Sequence, residues 1–206
     1  MPELVYLSLW LRDFSEQTML GYWKQAMEEF PPSSQFPGVR GLAIYPLDWS
    51  STPVLDQTLR EEASIEQAAA LVGEFLHADY AYEAQICWDL WTPQSSEPAE
   101  GWKQEARLVS LVCLGTEFDP EGTGGPGHLQ INFGPDSGFL PPAEWALSGA
   151  EWQRQMASPQ LRENVEKLIS YVHRLQKRLP VSKRLLWCES GENLAEKIMS
   201  FWDLKV

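Results

Sequence analysis

Between Asp79 and Gly134 three runs of aromatic and β-branched residues follow one another, and they commit the chain to a fold built on a sheet. The runs are Asp-Tyr-Ala-Tyr-Glu-Ala-Gln-Ile-Cys-Trp-Asp-Leu-Trp (79–91), Ala-Arg-Leu-Val-Ser-Leu-Val-Cys-Leu-Gly (106–115) and His-Leu-Gln-Ile-Asn-Phe-Gly (128–134). Each is bounded by Gly, Pro or charged clusters, the usual signature of a strand. Side chains alternate across a strand. The first run therefore places Tyr82, Ile86, Trp88 and Leu90 on one face and Glu83, Gln85, Cys87 and Asp89 on the other. In the third, Leu129, Ile131 and Phe133 oppose His128, Gln130 and Asn132. The middle run is apolar on both faces, which predicts a central strand covered on both sides. Together the runs predict the middle of a mostly antiparallel sheet.

The remaining chain supplies further strands and helices. Leu4 to Arg12 reads as a first strand, and Asp13 with Glu16 reads as a capping box opening a helix that carries Leu20, Trp23, Met27 and Phe30 on one stripe. Val39 to Leu47 is a second strand and Val54 to Arg60 an edge strand. Ser64 and Gln67 form another capping box, ahead of a helix with Ile65, Ala68, Ala69, Val72, Phe75 and Leu76 on its apolar face. After the central strands, a short helix is predicted over Trp145 to Trp152. Ser158-Pro159 opens a long one whose buried stripe is Leu161, Val165, Leu168, Ile169, Val172, Leu175 and Leu179. Arg184 to Glu189 is a last strand, and Ser190 caps a last helix with Leu194, Ile198, Phe201 and Trp202 inward.

The predicted class is α+β. In residues 1–92 the order of elements is β-α-β-β-α-β and resembles that of ferredoxin-like domains, an order shared by proteins of many functions. Residues 102–206 read β-β-α-β-α, either extending the first sheet or forming a second α+β layer. The segment Pro93 to Gly101 between them serves as a linker or as a long hairpin loop.

Composition narrows the function. Ten tryptophans must be covered somewhere, which excludes a largely disordered chain. The net charge of -13 is uneven: 16 acidic and 4 basic residues run through Glu100, and 13 acidic and 12 basic residues follow. An acidic surface repels phosphate backbones and anionic lipid, so nucleic acid and membranes are poor partners and a basic protein is a better one. Cys87, Cys113 and Cys188 lie far apart in apolar runs, which predicts buried thiols in a reducing compartment and a cytoplasmic, bacterial-type protein. The first residues read as a strand and not as a signal peptide, and no run reaches the ~18 apolar residues of a membrane span.

No motif demands a cofactor or metal. Gly-Thr-Gly-Gly-Pro-Gly (122–127) has the glycines of a phosphate loop but no Lys-Ser/Thr and no capped helix behind it, so it reads as a hairpin tip. Among the three histidines, His77 ends a helix and His173 flanks the long one. His128 shares a strand face with Gln130 and Asn132 at about 6.6 Å per two-residue step. With Glu83, Gln85 and Asp89 on a neighbouring strand, bordered by Trp91, these residues predict a polar row able to bind a ligand or to exchange protons. The bland alternative is the solvated face of an antiparallel sheet. Without a catalytic signature the chain is read as a non-catalytic binding protein facing a basic partner, of inhibitor or immunity type. A small-molecule site or enzyme on the open sheet face around His128, lined by Trp10, Tyr45, Trp91, His128 and Asn132, is the alternative, and a structural subunit of a homo-oligomer is a third reading.

Overall fold

A computed structural model describes residues 2–48, 50–94, 101–119, 125–141 and 147–202. The elements in order are β1 (Leu4–Leu11), α1 (Met19–Glu28), β2 (Val39–Pro46), β3 (Leu55–Ala63), α2 (Ile65–Gly73), β4 (Tyr80–Pro93), β5 (Trp102–Leu114), β6 (Leu129–Pro135), α3 (Gly149–Met156), α4 (Pro159–Arg178), β7 (Val181–Cys188) and α5 (Leu194–Trp202). The seven strands form one sheet in the order β3-β2-β4-β5-β6-β1-β7, and every neighbouring pair is antiparallel.

That order corrects the ferredoxin-like expectation for the first half. A four-stranded unit of β1 to β4 would need β1 beside one of the other three. Instead β1 inserts between β6 and β7, with Leu7 opposite both Ile131 and Leu186. The sheet thus interleaves residues from both halves of the sequence. Pro93 pairs with Trp102 and the Gln94 N–H donates to the Gly101 carbonyl at 3.1 Å, so β4 and β5 form a hairpin, and residues 95–100 of the expected linker or loop lie outside the described residues. The physical reason is legible in β1 itself, where Val5, Leu7, Leu9 and Leu11 are all buried. A strand this apolar is better covered in the interior of a sheet than at its edge.

The described helices pack on one face. Met19, Trp23, Ala26 and Met27 of α1 and Leu161, Val165, Leu168, Ile169, Val172 and Leu175 of α4 are buried against Leu7, Leu9, Leu42, Ile44, Ile86, Trp88, Leu111 and Ile131. At about 25 cal/mol per Å² of apolar surface, this layer dominates the folding energy. Two buried polar ends find backbone acceptors: Trp23 Nε1 donates to the Leu111 carbonyl at 3.0 Å, and Tyr171 donates to that of Ala26 at 3.0 Å. Burial drives the Tyr171 phenol pKa upward. No described helix is long and apolar enough to cross a membrane.

Three element starts differ from expectation. Asp13 takes a left-handed backbone (φ 55°), and Thr18 Oγ1 donates to the Asp13 carbonyl and accepts the Ser15 N–H, so α1 begins only at Met19 and Asp13 does not cap it. Ser190 donates to Glu3 instead of capping α5; Asn193 Oδ1 accepts the N–H groups of Ala195 and Glu196, making Asn193 the cap. The short helix runs over Gly149–Met156 with a Ser148–Glu151 capping box, and residues 142–146, where its start was expected, lie outside the described residues. The Ser64–Gln67 capping box and the α4 stripe form as expected. The side chains of Phe201 and Trp202 and the first half of the glycine-rich tip (122–124) also lie outside the described residues.

Candidate functional site

With the helices on one face, no described element covers the other. Paired residues in an antiparallel sheet share a face, so the register assigns this open face directly. From β3 to β7 it carries Asp56 and Thr58; Gly41 and Ala43; Glu83, Gln85 and Cys87; Leu108, Ser110 and Val112; Gln130 and Asn132; Tyr6, Ser8 and Trp10; and Lys183, Leu185 and Trp187. Here β5 departs from the expectation of a strand covered twice. Val109, Leu111 and Cys113 are buried under the helices, whereas Ser110 and Val112 are half-buried and Leu108 is 52% exposed.

Glu83 is the organised centre of this face. Its Oε1 accepts the Ser110 hydroxyl at 2.8 Å and the Gln85 amide at 3.4 Å. Ala43 lies opposite both Glu83 and Asp56, so a buried methyl group separates the two acids. The Tyr45 hydroxyl bonds to Glu83, and its pKa is raised by burial, by the Glu83 and Asp56 charges and by that bond. A Cβ at Gly41 would stand 2.9 Å from Gln85 Oε1 and shift the amide that helps orient Glu83. The result is a carboxylate held by neutral donors and reinforced by a second acid, with no ion pair to either among the described residues.

At the other end of the face lies an aromatic platform. Tyr6 and Trp187 stack across β1 and β7 with centroids 4.7 Å apart, and Trp187 Nε1 donates to Ser8 at 3.1 Å. Lys183 sits 4.1 Å over the Trp10 ring. Gln130 and Asn132 bridge the two regions, level with Ser8 and Tyr6 on one side and with Val112 and Ser110 on the other.

The expected polar row is only partly assembled. Glu83, Gln130 and Asn132 share the open face, with β5 between β4 and β6. Asp89 lies six residues from Glu83, about 20 Å along the strand. It is committed to the segment before β2, accepting Ser33 Oγ at 2.5 Å, Ser34 N at 2.8 Å and Ser34 Oγ at 2.6 Å. Burial acts to raise its pKa, but these bonds and the Lys167 charge hold it below the usual carboxylate range. Trp91 is bound to α4, its Nε1 donating to Glu163 at 2.7 Å and its backbone N–H to Asn164 Oδ1 at 2.9 Å.

His128 stands apart from the row, just before β6. Its Nδ1 accepts the Leu11 N–H at 2.9 Å where the β1–β6 ladder ends, and its ring stacks on Phe14 with centroids 4.1 Å apart. An imidazole that accepts at Nδ1 carries its proton on Nε2. His128, Asp13, Phe14, Thr116 and Asp119 line a cleft of about 320 Å³. The His128 pKa is lowered, chiefly by burial, with Asp119 partly opposing. The unfolded chain therefore binds this proton more readily, and stability falls as pH drops below the unfolded value of about 6.5 until the folded value is passed. We expect the urea midpoint to fall between pH 7.5 and 5.5, and His128→Gln, whose amide oxygen can accept the same N–H, to show a shallower fall. Equal slopes would place the titration elsewhere.

No group of three or more His, Cys, Asp or Glu side chains able to hold a metal comes together among the described residues. Asp56 and Ser110 were not predicted as parts of a site, whereas Tyr45 was expected only in the lining of the alternative pocket. Ser110 was the one available signal, a hydroxyl in the middle of an otherwise apolar strand. Compared with known protein families, curated proteins and solved structures, the chain matches none.

Proposed function

We propose that the protein acts by binding a basic partner protein on the helix-free face of its sheet, as an inhibitor or neutralising protein would. The observation that carries this reading is Glu83, a carboxylate held in place by Ser110 and Gln85 beside Asp56 and Tyr45. Neutral donors orient its oxygens without cancelling the charge. An arginine or lysine brought onto the face therefore meets a preorganised acceptor, and charge-assisted bonds are the stronger kind. Rigid aromatic anchors lie on the same face in Tyr6 and Trp187, and Leu108 and Leu185, 52% and 40% exposed, add apolar surface. The excess of acids before residue 100 would steer a basic partner toward the molecule.

Sheet-face pairing of two copies is disfavoured by the same feature, since it would bring like charges together at Glu83 and Asp56. The experiment is capture of binding partners on the immobilised protein. We expect a basic protein held stoichiometrically near 50 mM salt and released near 500 mM, where the Debye length shrinks to about 4 Å. A complex indifferent to salt would contradict the reading.

A further inference from the structure

Two rows of side chains cross the open face at right angles to the strands. Glu83, Val112, Gln130, Ser8 and Leu185 stand level with one another on β4, β5, β6, β1 and β7. Gln85, Ser110, Asn132, Tyr6 and Trp187 form the next row. Their chemistry changes along the way: a carboxylate at β4, short side chains at β5, amides at β6, aromatic and aliphatic groups at β1 and β7. Ser8 is buried and its hydroxyl accepts Trp187 Nε1, so the indole is fixed on the sheet with Tyr6 stacked on it. Asn132 Oδ1 accepts the Gly134 N–H at 2.9 Å, so this amide meets a partner as a donor. Lys183, two residues before Leu185, puts a positive charge at the aromatic end. A cationic side chain is therefore admitted at Glu83 and turned away at β7.

The spacing of the two ends selects the shape of what binds. Neighbouring strands lie about 4.8 Å apart, so β4 and β1 are separated by about 14 Å. An extended chain advances about 3.4 Å per residue and returns its side chains to one side at every second residue. Four residues therefore span the distance, with the first and last side chains both turned to the sheet. A helix misses it. At about 1.5 Å per residue, its positions on one face fall roughly 10.5 Å apart at seven residues and roughly 16.5 Å at eleven.

We propose that the partner's basic segment lies extended across β4, β5, β6 and β1, with an arginine on Glu83 and an apolar side chain four residues away against Tyr6 and Trp187. This arrangement rests on the open face being the binding surface, and it names what is recognised there. The recognised element is a cationic and an apolar side chain at fixed spacing, with a small polar residue midway over Gln130 and Asn132. The planar fork of arginine suits the oriented carboxylate, and the two amides suit the main chain of an extended segment.

The probe is the peptide Leu-Thr-Ser-Thr-Arg-Thr-Ser-Thr-Leu. Its leucines stand four residues from the arginine on both sides, so either chain direction presents the spacing. A second peptide, Leu-Thr-Ser-Arg-Ser-Thr-Leu, moves them to three and turns them to the opposite side. Binding to the full chain is followed through the indole N–H signal of Trp187 and the side-chain amide signals of Gln130 and Asn132. Saturable shifts are expected with the first peptide. Affinity should be about tenfold lower for the second, and for the first with both leucines replaced by serine, as loss of a buried leucine dictates. Glu83→Gln should weaken the first peptide by a similar factor, as loss of a charged hydrogen bond dictates. Equal binding of the three peptides, with Glu83→Gln weakening them all, would overturn the spacing and leave the open face as a surface for basic partners. No shift at about 10 mM of the first peptide, the weak end of measurable affinity, would also overturn it. Binding of the first peptide undiminished by Glu83→Gln would overturn both the spacing and the open face as the binding surface.

Discussion

Asn164→Leu is expected to destabilise the protein by about 4 kcal/mol, since each buried polar group left unpaired costs about 1–3 kcal/mol. Asn164 is fully buried in α4, on a helix whose other buried residues are leucine, isoleucine, valine and Tyr171. Its amide donates at 2.8 Å to the carbonyls of Trp91 and of Gly138, and its Oδ1 accepts the Trp91 N–H at 2.9 Å. One side chain thus closes the end of β4 and anchors the turn after β6. Leucine fits the space but leaves an N–H and two carbonyls without partners. Asn164→Asp is expected to be no better, since its carboxylate would face two carbonyl oxygens. The readouts are the urea midpoint at constant m-value and the exchange rate of the Trp91 amide. A loss below about 1 kcal/mol would mean that water replaces the asparagine.

Gly115→Ala is expected to cost about 3 kcal/mol, the upper part of the range for overpacking a filled site. A Cβ at Gly115 would lie 2.2 Å from the Ala78 carbonyl oxygen and 2.6 Å from that of Tyr80, and backbone cannot swing aside as a side chain can. The Gly115 N–H also donates to Tyr80 at 2.9 Å, so the start of β4 and the end of β5 would separate together. Gly21→Ala provides the contrast. It lies on the exposed side of α1 with nothing within 4 Å of the added methyl, and there alanine is expected to stabilise by roughly 0.5–1 kcal/mol. Thermal or urea unfolding of the pair measures both, and similar effects at the two glycines would refute the steric argument.

These two positions also show what could be read from the sequence and what could not. The alternation in β4 and β6 announced the buried face correctly, because a half-covered strand must sort its residues by polarity at every step. The α4 stripe was legible for the same reason at helical period. Strand order was not, since β1 finds β6 and β7 more than 100 residues away and local pattern carries no long-range register. Asn164 was invisible because its partners are backbone groups of Trp91 and Gly138, and backbone groups leave no trace in composition. The site was half legible. Glu83, Gln130 and Asn132 fell on the open face as periodicity predicts. Asp89, Trp91 and His128 had the right residue types but are bound to Ser33 and Ser34, to α4 and to the Leu11 N–H.

The same polarity sorting gives Glu83 its standing. It sits among half-buried neighbours on a face where helices could have packed, held by donors that keep its charge available. Its surroundings therefore suit recognition of a cation better than solubility alone, for which an exposed acid on any helix would serve.

The most direct measurement of that claim compares two charge reversals of equal size in the capture experiment. Glu83→Lys changes the open face, and Glu166→Lys changes the solvent side of α4, where Glu166 pairs with Arg162. Both move the net charge by the same amount, so non-specific attraction of basic proteins falls equally. A partner held by the parent and by Glu166→Lys is expected to be lost with Glu83→Lys, by about a hundredfold for a buried charged pair worth some 3 kcal/mol. Equal retention by the two variants would contradict it and remove the open face as the binding surface.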